Sequence, residues 1–337
     1  MVSFLSFAVL AYTFFIPCLA DGLPYYVHPT CVHNDSGVQE AIEEAVLMAQ
    51  RSVARLDTKD PDIRKVFWYT FGADISRRTS NIPMRKVRKI MKGIGDMKGV
   101  ETMQDSVVRI ICDHDKRWKP PPEDMKLQKD KLGNDLPDWS QDSLKPSDER
   151  ALIDAEQLKD GTLDTEPWRL NFGHKRVCHE RGSIAMYTLT YHGSIPKFGK
   201  GRADVTICSP FDRAPVTTLR KLMTIPDFDI VRDTTLVGSR DSPPTAMAPT
   251  ALMSFMLLHE LTHLVDFDRE DVPEPDPYGW QHIIHMSLES RLLNADNYAF
   301  LGLLALLGDY RVKLDGDQRR AKGGYLVNTD YDFGFRP

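Results

Sequence analysis

Residues Ala251 to Phe267 read ALMSFMLLHELTHLVDF, and this stretch restricts the fold more than any other in the chain. A helix wound from it carries apolar side chains on nearly every face, so it has to be enclosed by several other elements. Inside that run stand His259, Glu260 and His263, which need polar partners wherever water is scarce. Thr250 is placed to cap the helix and Pro249 to stop it from starting earlier.

A spacing of four residues sets the two imidazoles one turn apart on one helix face, where both reach a single metal ion. Glu260 lies beside them and can take a proton from a water at such an ion. With ten histidines in 337 residues, chance yields this pattern in about 2 of 100 such chains; satisfied core histidines are the competing reading. A catalytic zinc requires three protein ligands and one open position. Metzincins place Gly and His three and six residues beyond the second His, and Asp266 and Arg269 stand there, which excludes that class. The third donor is then a later helical carboxylate such as Glu289, or one in the acidic stretch Asp266 to Asp276.

Met1 to Ala20 contain no charged residue and end in Pro17-Cys18-Leu19-Ala20. This pattern predicts a signal peptide over 1–20, cut after Ala20, and hence a secreted chain with no stable membrane anchor; a membrane-spanning segment is the alternative. Its removal leaves Cys31, Cys112, Cys178 and Cys208, an even set for an oxidising compartment. Three pairings of these four are open. Sequence distance favours Cys178 with Cys208 as a short loop around an expected hairpin, with Cys31 then paired to Cys112. A zinc site on all four cysteines is the competing reading, although no pair has the close spacing such sites use. Asn34-Asp35-Ser36 is a glycosylation sequon. A net charge of −5 without a long basic run excludes a nucleic-acid partner.

Helical periodicity predicts helices over Val38 to Leu56, Asp62 to Phe71 and Ile82 to Met97, the last with a basic face read as solvated. Short β-branched runs predict strands over Val107 to Cys112, Ile184 to Tyr191 and Asp204 to Cys208. Helices dominate from Pro249 to Leu307. Residues 21–112 form an N-terminal helical part, 113–166 a charged, proline-containing and flexible insertion, and 167–337 the region that carries the chemistry.

Three motifs, His259-Glu260-Leu261-Thr262-His263, Tyr278-Gly279-Trp280 and Asn294-Ala295-Asp296-Asn297-Tyr298-Ala299, together resemble the deuterolysin-like (aspzincin) zinc endopeptidases of fungi. Cys178, Ala185-Met186-Tyr187-Thr188 and Ile207-Cys208 are similar to that family's region before the zinc helix, so the likeness runs from about Val177 to Leu304. It implies an α+β, zincin-like metalloprotease fold, predominantly helical with a small β-sheet. It also implies one zinc ion on His259 and His263, Glu260 as general base, and Tyr278 as a donor to the developing oxyanion, helix-start packing being the other reading of that tyrosine.

The family's ligand Asp lies three residues before the Tyr, where this chain has Pro275. Asp276 is the preferred replacement and Glu274 the alternative, with Glu289 and His282 behind them. The expected activity is hydrolysis of internal peptide bonds in protein or peptide substrates by a monomer, with Lys favoured after the cleaved bond. The competing expectation is a non-catalytic secreted zinc-binding protein on the same fold, of the antigen or zinc-scavenger type.

Overall fold

A computed structural model describes residues 22–31, 37–78, 81–112, 118–119, 153–154, 185–195, 200–208, 217–226, 252–264, 267, 269–272, 277–315 and 325–328. The expected signal peptide over 1–20, Asn34, Cys178, Thr250, Glu274, Asp276 and most of 113–166, read as an insertion, lie outside these residues. The chain begins with β1 (Pro24–Val27), α1 (Val38–Thr58), α2 (Pro61–Phe71) and α3 (Asn81–Gly95), followed by β2 (Lys98–Gly99), β3 (Val108–Ile111), β4 (Trp118–Lys119) and β5 (Ile153–Asp154). Next come β6 (Met186–Ile195), β7 (Lys200–Ile207), α4 (Leu219–Leu222) and α5 (Met253–Thr262). The last elements are α6 (Trp280–Ile283), α7 (Leu288–Leu293), α8 (Ala295–Leu307), β8 (Val312–Asp315) and β9 (Tyr325–Asn328). The mixture of helix and sheet is α+β.

The three N-terminal helices form where periodicity places them. In α1 the buried stripe Ala41, Ile42, Ala45, Val46, Met48, Ala49, Ser52 and Leu56 recurs at helical spacing. Asp60 caps α2 by accepting from the amides of Asp62 and Ile63, Pro61 occupies the first turn, and Gly72 ends the helix at φ 65°. α3 stops at Gly95, two residues before the sequence-based boundary, and Met97 turns inward beyond it.

The main sheet has the order β2-β1-β3-β7-β6. Its first three pairings are parallel, whereas β6 joins β7 antiparallel and forms one edge among the described residues. β1 was not legible in the sequence, since PYYV lacks alternation; it exists because β3 offers it a parallel partner and Cys31 bonds Cys112 just beyond. That disulfide is the expected one. Cys208 is also disulfide-bonded.

One hydrophobic core joins α1, α2, α3, α5, α8 and the facing side of the sheet. Every residue of α8 is buried. Gly302 lets α8 approach α5 and α1 closely, because a Cβ there would sit 2.2 Å from Leu258 Cδ2 and 3.2 Å from Met48 Cβ. Helix α5 is enclosed as its composition demands. Leu252, without a capping side chain, flanks its start, and the Ser254 amide is satisfied by the Thr217 carbonyl at 3.0 Å. Among the described residues no helix is long and apolar enough to cross a membrane.

Candidate metal centre

Helix α5 presents His259 on its last turn and His263 as the residue that closes it, still in a helical conformation. The two rings therefore remain one turn apart on one face, with their Nε2 atoms 3.2 Å from each other. What aims them is found at the opposite ring nitrogens. His259 Nδ1 donates to Asp296 Oδ1 at 2.9 Å, and His263 Nδ1 donates to the Arg269 carbonyl at 2.7 Å. The Asp296 carboxylate and the Arg269 carbonyl are acceptors, so each Nδ1 donates its hydrogen outward and both Nε2 atoms are aimed at one point.

A carboxylate completes the convergence. Asp271 Oδ1 lies 3.1 Å from His259 Nε2 and 3.6 Å from His263 Nε2. Among the described residues, His259, His263 and Asp271 are the group whose ligand atoms lie close enough together to hold a metal ion. Two lone pairs and an anionic oxygen facing one point repel unless a cation or a proton sits among them, so the donor set fits a metal. Asp271 belongs to the acidic stretch read from the sequence but was not singled out within it. Asp276 and Glu274, the preferred donors, lie outside the described residues, and Glu289 and His282 do not join the group. His282 Nδ1 instead bonds the Tyr278 carbonyl at 2.8 Å.

The segment that carries Asp271 is tied to the start of α8. Glu270 N donates to Leu293 O, Ala295 N donates to Glu270 O, and Val272 N donates to Asn294 Oδ1. Asn294 Nδ2 in turn reaches the Pro277 carbonyl at 3.0 Å and Asn297 Oδ1 at 2.8 Å. Asn294 thus holds the Asp271 segment. Asp296 serves the histidine helix: its Oδ1 orients His259 while its Oδ2 accepts the Gly279 amide at 2.7 Å. Gly279 has φ 84° there, a conformation that favours glycine. Tyr298 donates to Leu292 O at 2.8 Å and supports α7.

Tyr278 is 53% exposed, and its ring lies 5.9 Å from that of His259. Its hydroxyl donates to Asp271 Oδ2 at 2.9 Å, so one oxygen of that carboxylate is held by the phenol while the other faces the imidazoles. Glu260 is mostly buried and its Oε2 accepts from Thr188 Oγ1 on β6 at 2.7 Å.

The electrostatics agree with a cation site. Burial alone would push His259 down, but its bonds to Asp271 and Asp296 and the nearby Glu260 charge outweigh that and hold it well above the usual imidazole range. Asp271 is opposed by burial too, yet its bond to His259, the two imidazoles and the Tyr278 hydroxyl keep it below the usual range. Burial and the adjacent Asp271 push the Tyr278 phenol up, so it stays a neutral donor. Compared with protein-family models and with curated protein sequences, the chain finds no match.

Proposed function

We propose that the protein is a secreted zinc-dependent endopeptidase, and the observation that carries this reading is the convergence of His259 Nε2, His263 Nε2 and Asp271 Oδ1, with the charge of Glu260 near enough to act on His259. Zinc suits two imidazoles and a carboxylate, and when bound it supplies Lewis acidity toward a carbonyl and acidifies water. The resemblance of the HELTH, Tyr-Gly-Trp and Asn-Ala-Asp-x-Tyr-Ala motifs to aspzincins supports the same reading, as does the Cys31–Cys112 disulfide for an oxidising compartment.

The chain's own residues divide the work. Glu260, one residue from His259, accepts the proton of the attacking water and delivers it to the leaving amine. Asp296 and the Arg269 carbonyl keep both imidazoles in the tautomer that leaves Nε2 free to bind. Among the described residues β6 is the last strand of the sheet, and its outer edge there can pair with an extended peptide by main-chain hydrogen bonds and lay the scissile bond along α5.

The test is digestion of an unfolded protein by the mature chain and by its Glu260→Gln variant, with zinc content assayed in both. Cleavage by the parent alone, at equal zinc content, is the expected result. Equal zinc content with no cleavage by either form would replace the endopeptidase by the non-catalytic zinc-binding protein.

A further inference from the structure

We propose that Thr188 is a positioning residue that aims the Glu260 carboxylate, an inference that rests on the endopeptidase reading above and names a further residue of that site. Thr188 lies on β6, opposite Val205 of β7, and shares its face of the strand with Met186, a member of the core onto which α5 packs. Its Oγ1 is 2.7 Å from Glu260 Oε2 and 3.1 Å from the Glu260 carbonyl oxygen. A hydroxyl carries one proton. The Glu260 carbonyl already accepts from the His263 amide at 3.1 Å, so the Thr188 proton goes to the shorter, charge-assisted bond with Oε2.

A glutamate has three rotatable side-chain bonds and loses substantial rotamer entropy when held in one direction. Threonine is stiff about its single χ1, and here its backbone register is set by pairing with β7. A rigid donor on a rigid strand therefore fixes Oε2, and the other oxygen, Oε1, is left to take the proton. Glu260 is 8% exposed, and among the described residues Thr188 is the hydrogen-bond donor to its carboxylate. The same edge strand that can pair with an extended peptide also holds the base, so the scissile bond and its proton acceptor share one frame. Nothing in the motif around Glu260 encodes this partner, which lies 72 residues earlier.

The experiment compares Thr188→Val, which keeps the β-branched shape and removes the hydroxyl, with Thr188→Ser, which keeps the hydroxyl. For the mature zinc-loaded chain, Thr188→Val is expected to lower kcat by about 10–100-fold, as misplacement of a reacting group does, with KM and zinc content unchanged. Thr188→Ser is expected to restore most of the loss. Parental kcat in Thr188→Val, a loss that Ser fails to repair, or a fall in zinc content matching the fall in kcat would each overturn the proposal.

A second readout does not depend on activity: crystal structures of the parent and of Thr188→Val, or of Thr188→Ala if the valine variant does not fold. The Glu260 carboxylate is expected to leave its place when the hydroxyl is gone, and an unmoved carboxylate overturns the proposal. A parent that cleaves nothing but whose Glu260 moves in the variant sinks the endopeptidase reading and leaves the Thr188 contact standing.

Discussion

Replacing Tyr278 by Phe separates two tasks that one phenol can perform. Its hydroxyl donates to Asp271 Oδ2 at 2.9 Å while Oδ1 of the same carboxylate faces the imidazoles, so the bond sets the angle at which Oδ1 is offered. Loss of a residue that orients a metal ligand costs typically about 10–100-fold in affinity. At 53% exposure water replaces part of the lost bond, which puts the expectation at the lower end. A tenfold loss of zinc affinity corresponds to about 1.4 kcal/mol. The assay is competition for zinc between each form and a chromogenic chelator at one pH, followed by kcat at saturating zinc. Weakened zinc binding, with kcat largely recovered at saturation, is the expected outcome. Unchanged zinc affinity with kcat lower by about 10²–10³, the loss typical of a missing oxyanion donor, would refute the reasoning and return Tyr278 to the role that the family resemblance implies.

Asp271→Ala is expected to abolish stoichiometric zinc binding, while a Glu274→Ala, Asp276→Ala double variant retains it; the reverse pattern in metal analysis of dialysed protein would move the third donor into 273–276. In the sheet, Arg109 faces Asp204 across β3 and β7 through bonds of 2.6 and 2.8 Å, both side chains fully buried. Arg109→Met takes the guanidinium away from that buried carboxylate and is expected to cost about 3–5 kcal/mol in urea unfolding, most of it recovered when Asp204→Leu is added; additive losses would contradict this. On the surface, the bond from Arg88, outweighing burial, holds Asp57 below the usual carboxylate range. A lowered folded-state value adds stability that is present above the unfolded value of about 3.9 and is lost as pH falls through the folded one. Asp57→Asn should therefore cost less than about 1 kcal/mol at neutral pH, with the gap closing on acidification; denaturant titrations across pH that show it widening would reverse the sign.

The elements that were legible in the sequence are those whose stability is expressed locally. The stripe from Ala41 to Leu56, the helix expected over Asp62 to Phe71 and the four-residue interval between His259 and His263 follow from the helical repeat, and the structure reproduces each within about two residues. Cys31 with Cys112 was within reach because the four cysteines beyond residue 20 leave few pairings. Strand β1 and the hairpin of β8 and β9 were missed, since both are short and owe their form to neighbours.

The surroundings of the metal centre were decided by tertiary structure alone. Asp271 is one acidic residue among many in its stretch, and it joins the two histidines in a group that could hold a metal ion because Leu293 and Asn294, more than twenty residues later, hold the backbone of its neighbours Glu270 and Val272. Asp296 and Thr188 reach the histidine helix from 37 and 72 residues away, through pairings that no periodicity announces. The sequence by itself determined two imidazoles and a glutamate on one helix, because a helix makes the spacing of neighbours a matter of counting. Which carboxylate, phenol and hydroxyl meet them depends on where separate elements come to rest, and that is settled by packing of the shared core around α5 and α8.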